Sequence, residues 1–318
     1  MATGLEFPLA GKRVWVAGHN GMVGSALLRR LRGEGCELLT IDRAGLDLTQ
    51  QREVDRWIEA ARPDAIFLAA ATVGGIMANS TRPADFLYQN VTICGNVVEA
   101  SRRHGVAKLM VLGSSCIYPR LAEQPITEDA LLSGPLEPTN QWYAIAKIAA
   151  LKLAQAYRLQ HGCDFISAMP TNLYGPGDNF DLTEGHVLPS LMRKAHEAKA
   201  RGDRQLTIWG TGSPRREFLH VDDCADALVF LMQTYSDGPQ VNVGSSEDLT
   251  IRELAEAVCE VVGFKGEIVT DPSKPDGTPR KLMSARKLRA MGWRPRIPLK
   301  SGLADVYRWF LDTVAAPA

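Results

Sequence analysis

The chain has 318 residues, 45% of them apolar, and its 36 lysines and arginines balance 36 aspartates and glutamates. This balance excludes an overall charge that would recruit nucleic acid or an anionic membrane, and no apolar run reaches the roughly 20 residues that span a bilayer. The six scattered cysteines form no CxxC pair, so we expect neither disulfides nor a zinc site or other metal site, and a cytoplasmic protein without a secretory signal.

Short apolar runs alternate with longer amphipathic segments through the first half of the chain. The apolar runs are RVWVAG (13–18), CELLTI (36–41), AIFLAA (65–70), KLMVLG (108–113) and CDFISAM (163–169). The segments with helical periodicity lie near 21–33, 50–61, 83–104 and 140–161. Almost wholly apolar strands that alternate with helices predict a Rossmann-like doubly wound α/β fold, whose parallel sheet is covered on both faces.

The first predicted strand runs directly into a glycine-rich turn. The sequence VAGHNGMVGSAL places Gly18, Gly21 and Gly24 between that strand and the first helix. Glycines at this point let the backbone turn tightly and approach a pyrophosphate, which the helix N-terminus then stabilises. The turn predicts dinucleotide binding; a tight turn without a ligand is the alternative.

Two opposite charges follow the second predicted strand. Asp42 stands where an acidic residue would bind a free ribose 2′-hydroxyl and favour NAD(H). Arg43 is next to it and could accept the 2′-phosphate of NADP(H). Asp47 is a further candidate, for the adenine side of the site or for an ordinary exposed loop. The residues themselves leave the choice of cofactor open.

The fourth predicted strand ends in the sequence LGSSCIYP, an unusual close for a buried apolar run. Ser114 and Ser115 could finish the strand with local hydrogen bonds, and a free cysteine such as Cys116 is most often a small buried apolar residue. A serine hydroxyl at this edge of the sheet could instead bind a substrate oxygen. The helix that follows favours this second interpretation.

That helix, in NQWYAIAKIAALKLAQAY, carries Tyr143 and Lys147 four residues apart and therefore on one face. An ammonium beside a phenol favours the phenolate and lowers the tyrosine pKa from its reference value of about 10. A tyrosine tuned in this way can exchange a proton with a carbonyl or alcohol oxygen. The pair predicts an acid–base site, and a surface Tyr–Lys pair is the alternative.

Beyond residue 175 the sequence contains several predicted loops that are rich in glycine, proline and charged residues. Helices are predicted near 186–200, 222–235, 250–262 and 300–313. We predict a dinucleotide-binding domain over residues 1–175, with a return of the chain near 215–245. Residues 176–318 are predicted to form a smaller α+β substrate-binding domain.

The glycine turn, Ser114 and the Tyr143–Lys147 pair together resemble the extended short-chain dehydrogenase/reductase family. Longer phrases, among them GSSCIYP, EPTNQWYAIAKIA, MPTNLYGPGDNF and WGTGSPRREFLHVDD, are similar to members of that family that make GDP-L-fucose. Asn20 departs from the pattern, because an arginine is frequent there. The resemblance implies that these residues contact the cofactor: Gly18, His19, Asn20, Gly21, Met22, Val23, Gly24, Asp42, Arg43, Leu112, Gly113, Ser114, Ser115, Tyr143, Lys147, Pro170, Thr171, Asn172, Leu173 and His186.

The resemblance also implies the reaction. Such enzymes epimerise C3 and C5 of GDP-4-keto-6-deoxy-D-mannose and reduce its C4 ketone with NADPH. Tyr143 would be the acid–base residue, Lys147 would also hold the nicotinamide ribose, and Ser114 would bind the ketone oxygen. NADP(H) is the expected cofactor. Asp42 and Asn20 weaken this preference and keep NAD(H) as the alternative.

The same resemblance gives Cys116 and His186 a role. Protons beside a ketone are acidic because their removal gives an enolate, and inversion needs a base on one face and an acid on the other. Thiol and imidazole reference pKa values, about 8.5 and 6.5, bracket neutrality. The resemblance implies that Cys116 and His186 form this pair, with Cys116 as the base. The alternative for Cys116 is a buried packing role, and the alternative for His186 is a helix-start or surface position.

A diphosphate-linked substrate needs cations, and Arg193, Lys194, Arg215 and Arg216 are available. By resemblance, the residues that bind substrate are Asn172, Lys194, Trp209, Arg216 and Asp276. The alternatives are a solvated surface position for each charged residue, core packing for Trp209 and a turn-stabilising role for Asn172.

Three alternatives to this activity remain at this stage. One is an epimerase–reductase for a GDP-heptose, and another is a sugar-nucleotide epimerase with tightly held NAD. The third is a redox-sensing binding protein, which would be expected to lose the YxxxK pair. The resemblance also implies a homodimer, formed by the Tyr143 helix and the helix before it.

Overall fold

The computed structural model describes residues 6–182, 185–274 and 276–315. Its strands are β1 (Arg13–Ala17), β2 (Glu37–Leu39), β3 (Ala65–Leu68), β4 (Lys108–Leu112), β5 (Phe165–Pro170), β6 (Asn172–Tyr174), β7 (Gln205–Trp209), β8 (Arg215–His220), β9 (Val241–Val243), β10 (Asp248–Thr250), β11 (Glu267–Asp271) and β12 (Arg280–Lys281). Its α-helices are α1 (Met22–Leu31), α2 (Gln51–Ala61), α3 (Ile76–Thr81), α4 (Pro83–Arg103), α5 (Gln141–His161), α6 (Val187–Arg201), α7 (Val221–Thr234), α8 (Ile251–Val262), α9 (Arg286–Ala290) and α10 (Leu299–Thr313). All five strands and eight helices predicted from the sequence are present.

The main sheet has six parallel strands in the order β2-β1-β3-β4-β5-β9. The chain leaves β1 for β2 on one side and then crosses to β3 on the other, so the strand order reverses at β1. In open parallel sheets this reversal is where ligands bind, at the carboxyl ends of the strands. The predicted Rossmann-like doubly wound α/β fold is confirmed.

The strands of this sheet are buried on both faces because helices cover each side. Along β1, Val14 and Val16 belong to the core that α1 and α7 cover, whereas Trp15 and Ala17 belong to the core under α2, α4 and α5. The alternation follows from the two-residue period of a strand. It explains the nearly continuous apolar runs seen in the sequence, since both faces pack against apolar side chains of the helices.

A second core lies under α6, α8 and α10. Strand β8 organises the small sheet beside it, pairing with β6, β10 and β12, while β7 pairs with β11. Because β6 directly follows β5, and β8 directly precedes α7 of the first core, the two cores share short connections. The boundaries of the two domains remain a prediction.

Helix α5, which carries the Tyr–Lys pair, has strong local support. Its sequence is rich in alanine, leucine, lysine and glutamine, all good helix formers. It ends at Gly162, whose φ of 68° suits the left-handed cap and whose N–H donates to the Arg158 carbonyl at 3.0 Å. Within the described ranges, no helix has the length and apolarity required to traverse a membrane.

Candidate active site

A cleft of about 560 Å³ opens at the carboxyl edge of the main sheet, around the point where the strand order reverses. All the residues predicted to contact the cofactor line it. They come from the turn after β1, the end of β2, the end of β4, helix α5, the segment between β5 and β6, and the start of α6. The structure thus brings these residues together, and their individual contacts with a cofactor remain predictions.

The glycine turn fits a dinucleotide pyrophosphate. Gly18 has a φ of +87°, and a Cβ there would lie 2.7 Å from the Ala70 backbone; a Cβ on Gly24 would overlap the Gly18 carbonyl oxygen. Helix α1 starts after Gly21, and no side chain in the described part of the chain caps its first N–H groups. These N–H groups therefore remain available to an anion at the positive end of the helix dipole.

The two charges after β2 both line the cleft. The Asp42 carboxylate accepts a hydrogen bond from the Gly45 N–H at 2.8 Å, which holds the loop closed. Asp47 accepts from the N–H and the hydroxyl of Thr49, and these bonds lower the pKa of its carboxyl. Arg43 forms no ion pair within the described ranges, so its guanidinium is available to a phosphate.

The end of β4 shows why an apolar run closes in Ser-Ser-Cys. The chain leaves the strand in a single 3₁₀ turn, Ser115–Ile117, and Ser114 caps it by accepting a hydrogen bond from the Cys116 N–H at 3.4 Å. Ser114 and Ser115 line the cleft, whereas Cys116 is buried beside it. The local hydrogen bond considered from the sequence is therefore formed, and it fixes the Cys116 backbone next to the Ser114 hydroxyl.

Helix α5 places Tyr143 and Lys147 in the cleft wall. The Lys147 Nζ donates to the Leu112 carbonyl oxygen at 2.8 Å and lies 5.7 Å from the centre of the Tyr143 ring. Burial lowers the pKa of Lys147 and raises that of the Tyr143 phenol well above its usual range. The sequence-based expectation of a lowered tyrosine pKa is therefore wrong for this structure, because desolvation by burial is the largest cause of the shift and Cys116 acts in the same direction. The phenol is held protonated.

His186 is the residue immediately before α6, and it lines the cleft. Its side chain does not cap the helix and is open to the cleft. Surrounding protein lowers the pKa of its imidazole, so the ring is neutral at pH 7. A neutral imidazole can accept a proton, and the imidazolium that forms can donate one.

Lys281 is a neighbour of Cys116 that the sequence analysis missed. It lies on β12, which pairs with β8 so that Lys281 is opposite Arg216. Burial raises the pKa of the Cys116 thiol, and the Lys281 ammonium is the strongest influence in the opposite direction. The only signal in the sequence was the charge-rich loop KPDGTPRK, which does not show which of its cations turns inward.

The structure separates the cations proposed for the substrate. Arg193 pairs with Glu197 and Arg215 with Asp248, so both are occupied in ion pairs. Arg216 lines the cleft, and burial lowers its pKa.

Lys194 lies 5.2 Å above the Trp209 ring, and that indole is 56% exposed, which excludes core packing for it. Trp209, Lys194 and Asp276 do not line the cleft cavity itself. The Asp276 carboxylate accepts from the Thr211 N–H at 2.7 Å and from its hydroxyl at 2.9 Å, and so joins two loops. Substrate contacts of these residues remain predictions.

Asn172 combines a place in the cleft with a structural bond. Its side-chain amide donates to the backbone carbonyl of Glu217 at 2.8 Å, between paired strands β6 and β8. Glu217 is fully buried and accepts from the N–H groups of Ser246 at 2.7 Å and Met283 at 3.0 Å. Asn172 is therefore tied to the backbone of β8, and the buried Glu217 carboxylate ties that strand to two further segments.

Comparison with known proteins agrees with this geometry. A family model described as NAD dependent epimerase/dehydratase matches residues 14–244. A GDP-L-fucose synthase of Sinorhizobium fredii (strain NBRC 101917 / NGR234) is 60% identical over 307 residues, which cover 96% of this chain and 98% of the relative. The GDP-L-fucose synthase of Escherichia coli (strain K12) is 50% identical over 314 residues, with 96% and 98% covered.

A solved structure is similar over its whole length. The GDP-L-fucose synthetase from Naegleria fowleri bound to NADP superposes with a TM-score of 0.90 at 28% identity, covering 99% of this chain and 98% of that one. The resemblance inferred from the glycine turn, Ser114 and the Tyr143–Lys147 pair is thereby confirmed. With a family model matched across most of its length and a full-length relative at 60% identity, the chain belongs to the NAD dependent epimerase/dehydratase family.

Proposed function

We propose that this protein makes GDP-L-fucose from GDP-4-keto-6-deoxy-D-mannose, by epimerisation at C3 and C5 followed by reduction at C4. The observation that carries the proposal is the turn after β4, which places Ser114 and the buried Cys116 side by side, next to a cleft that also holds Tyr143, Lys147 and His186. One cleft therefore offers groups for both halves of the reaction. The relatives with the same printed activity support it over nearly the full chain.

The reduction uses the residues on β4 and α5. When bound, the reduced dinucleotide supplies the hydride that C4 receives. Ser114 donates a hydrogen bond to the C4 oxygen, and the neutral phenol of Tyr143 gives that oxygen its proton as the alkoxide forms. The phenol of Tyr143 is protonated at neutral pH, as a proton donor must be. Lys147, anchored on the Leu112 carbonyl, fixes the position of the ribose beside the phenol.

The epimerisation uses Cys116 and His186. The Cys116 thiolate removes the proton from C3 or C5, and the C4 carbonyl takes up the charge as an enolate that Ser114 stabilises. His186, protonated by solvent to the imidazolium, then gives a proton to the same carbon from the opposite face, which inverts the carbon and leaves a neutral ring. The Cys116 thiol returns its proton to solvent before the next epimerisation. Lys281 supports the first step, because a cation beside the thiol favours the thiolate.

NADP(H) is the proposed cofactor, in line with the NADP held by the Naegleria fowleri structure. Arg43 is the residue proposed to receive the 2′-phosphate. Asp42 beside it would bind the free ribose hydroxyls of NAD(H), which makes NAD(H) the alternative. Because Asp42 and Arg43 favour different cofactors, substitution of each residue tests the choice between NADP(H) and NAD(H).

One reaction tests both halves of the proposal. The enzyme is incubated in deuterium oxide with GDP-4-keto-6-deoxy-D-mannose and either NADPH or NADH, and nicotinamide absorbance and product NMR are followed. We expect oxidation of the cofactor and deuterium at C3 and C5 of a product with the L-galacto configuration. Exchange without oxidation would remove the reductase half. Absence of both would contradict the proposed substrate, and a GDP-4-keto-heptose would then be tested.

We further propose that two copies of the chain associate through α4 and α5. These helices pack on each other and present Tyr88 (69% exposed), Val91 (40%), Trp142 (41%) and Ile145 (39%). The residues recur at helical spacing on each outer face, which predicts a four-helix bundle between two copies. Gly95 adds a point of close approach, since its missing side chain leaves open space.

The proposed location is the cytoplasm. All six cysteines are free thiols, and Cys94, Cys116, Cys224 and Cys259 are buried in the cores. Free thiols in such number are typical of proteins that work in a reducing compartment. Fractionation of the native cell with an activity assay would test the assignment, and activity confined to a membrane or secreted fraction would contradict it.

A further inference from the structure

A second cavity lies on the C-terminal part of the chain and shares no lining residue with the catalytic cleft. Its volume is about 460 Å³. Its walls come from the turn that follows β12, from α9 and the loop after it, and from the loops that contain Pro125 and Ser246. The volume falls within the range of small-molecule sites, roughly 300–1,000 Å³. The cavity is therefore large enough for a metabolite rather than for a few water molecules only.

Among the residues that the structure describes, no carboxylate lines this cavity, whereas three arginines do: Arg286, Arg289 and Arg294. None of the three forms an ion pair with any residue in the described ranges, although arginines elsewhere in the chain pair with acids many times. The Nε of Arg289 is buried without a hydrogen-bond partner in the described part of the chain. Three converging positive charges repel one another, so the arrangement is unfavourable until an anion joins it.

The walls of the cavity are rigid where the arginines attach. Arg289 donates to the Ser245 carbonyl at 2.6 Å, and the Ala285 N–H donates to the Ser246 hydroxyl at 3.2 Å. Glu217 holds Ser246 and Met283 by their N–H groups, so the loop after β9 and the turn after β12 are fixed to one buried carboxylate. The guanidinium groups thus extend from a preformed frame, which limits the entropy lost on binding.

We propose that this cavity is a binding site for a phosphorylated small molecule, distinct from the catalytic cleft. Guanidinium groups bind phosphate oxygens in a bidentate way, and three of them match a group that carries more than one negative charge. The Nε of Arg289 supplies a donor that has no other use. The small Ser246 and Ser284 side chains add hydroxyl groups to the wall for the uncharged part of the ligand.

Calorimetric titration of the full-length enzyme tests the site. The catalytic cleft is first saturated with NADP⁺ and GDP, and inorganic pyrophosphate is then added, with glucose 6-phosphate and citrate titrated separately. We expect saturable binding of pyrophosphate, with citrate weaker. The double variant Arg286→Gln/Arg294→Gln should weaken binding at least tenfold. Both side chains are exposed and unpaired in the described ranges, so folding should be unaffected.

The matched control is Arg52→Gln/Arg56→Gln, which removes the same charge from two exposed arginines on α2. This control should bind pyrophosphate as the unmodified enzyme does. An equal loss in both double variants would mean general charge attraction and would overturn the proposal. So would the absence of saturable binding, or tighter binding of citrate than of pyrophosphate. Glucose 6-phosphate binding tighter than pyrophosphate would identify a sugar phosphate, rather than the free anion, as the preferred class.

Discussion

Asp42 and Arg43 place opposite charges side by side where the adenosine ribose of a dinucleotide is expected. A carboxylate can accept both ribose hydroxyls but repels a 2′-phosphate, whereas a guanidinium attracts that phosphate. At about 4 Å two unit charges near a protein surface interact by roughly 4 kcal/mol before screening. Either residue is therefore strong enough to decide the preference for NADPH or NADH.

Replacement of Asp42 by asparagine should shift cofactor preference toward NADPH. Asparagine keeps an oxygen for the Gly45 N–H, so the loop should hold its shape while the charge is lost. We expect the ratio of kcat/KM for NADPH to that for NADH to rise about tenfold, a change of about 1.4 kcal/mol. Arg43→Gln should move the ratio in the opposite direction. Asp47→Asn is the control for net charge, and an identical shift in that variant would remove Asp42 as the determinant.

Lys281 gives the epimerisation a predictable pH dependence. Burial raises the pKa of Cys116 and the nearby ammonium lowers it, so Lys281→Met should raise it further. The thiolate is the active form, so the rise of activity with pH should move to higher pH. A shift of one unit would cut the rate below the pKa about tenfold.

This prediction is measured as the pH profile of deuterium incorporation at C3 and C5. Lys281→Arg should restore the original profile, because it keeps the charge. Lys300→Met serves as a control, since that lysine pairs with Glu260 on the surface. A profile that stays in place in Lys281→Met, with only the rate reduced, would show that the lysine acts on the substrate and not on the thiol.

The sequence was most informative about residues within a few positions of a recognisable motif. Tyr143 and Lys147 lie on one turn of one helix, and the glycines occupy one turn of the backbone, so their placement follows from local geometry. Lys281 reaches Cys116 only because β12 joins β8, a pairing over more than sixty positions that leaves no local pattern. The burial that raises the pKa of Tyr143 is likewise a property of the folded cleft and not of helical spacing.

At the scale of elements, the buried carboxylate of Glu217 connects β8 to two other segments. Glu217→Gln should destabilise the protein by about 2–3 kcal/mol, because the amide nitrogen cannot accept a hydrogen bond and leaves one N–H, of Ser246 or Met283, unpaired. Urea unfolding with and without the substitution measures this. Glu247→Gln changes an exposed residue next to Ser246 in the same loop, and it should change stability by less than about 0.5 kcal/mol. Equal effects would contradict the proposed role.

The same strand shows where sequence patterns stop being useful for secondary structure. The five predicted strands of the main sheet are apolar runs between turns, and the helices are long and amphipathic. Strands β6, β10 and β12 have only three, three and two residues, and each exists because β8 offers a partner. Strand propensity depends on such neighbours more than on the segment itself, so these elements could not be predicted locally.

At the scale of the whole molecule, the surface of α4 and α5 differs from the rest of the chain. Positive and negative charges are equal in number overall, so no long-range repulsion opposes self-association. Large side chains that remain exposed at helical spacing on two adjacent helices indicate an interface, whereas single exposed apolar residues are ordinary. Tyr143, the proposed proton donor, lies on α5, so contact between two copies would also restrain the helix that carries it.

The substitution Ile145→Arg should convert the proposed dimer into a monomer. It places a charge in the middle of the apolar face, where the twofold axis of a four-helix bundle would bring two such charges together. Sedimentation of the unmodified chain should give about twice the chain mass, and the variant should sediment as a single chain. The control Leu121→Arg changes an exposed leucine outside both helices, and this variant should stay dimeric. A dimer that survives Ile145→Arg would place the interface elsewhere, and an unmodified protein that sediments as a monomer would remove it. If the interface restrains α5, the monomeric variant should also bind cofactor more weakly while its circular dichroism spectrum is unchanged.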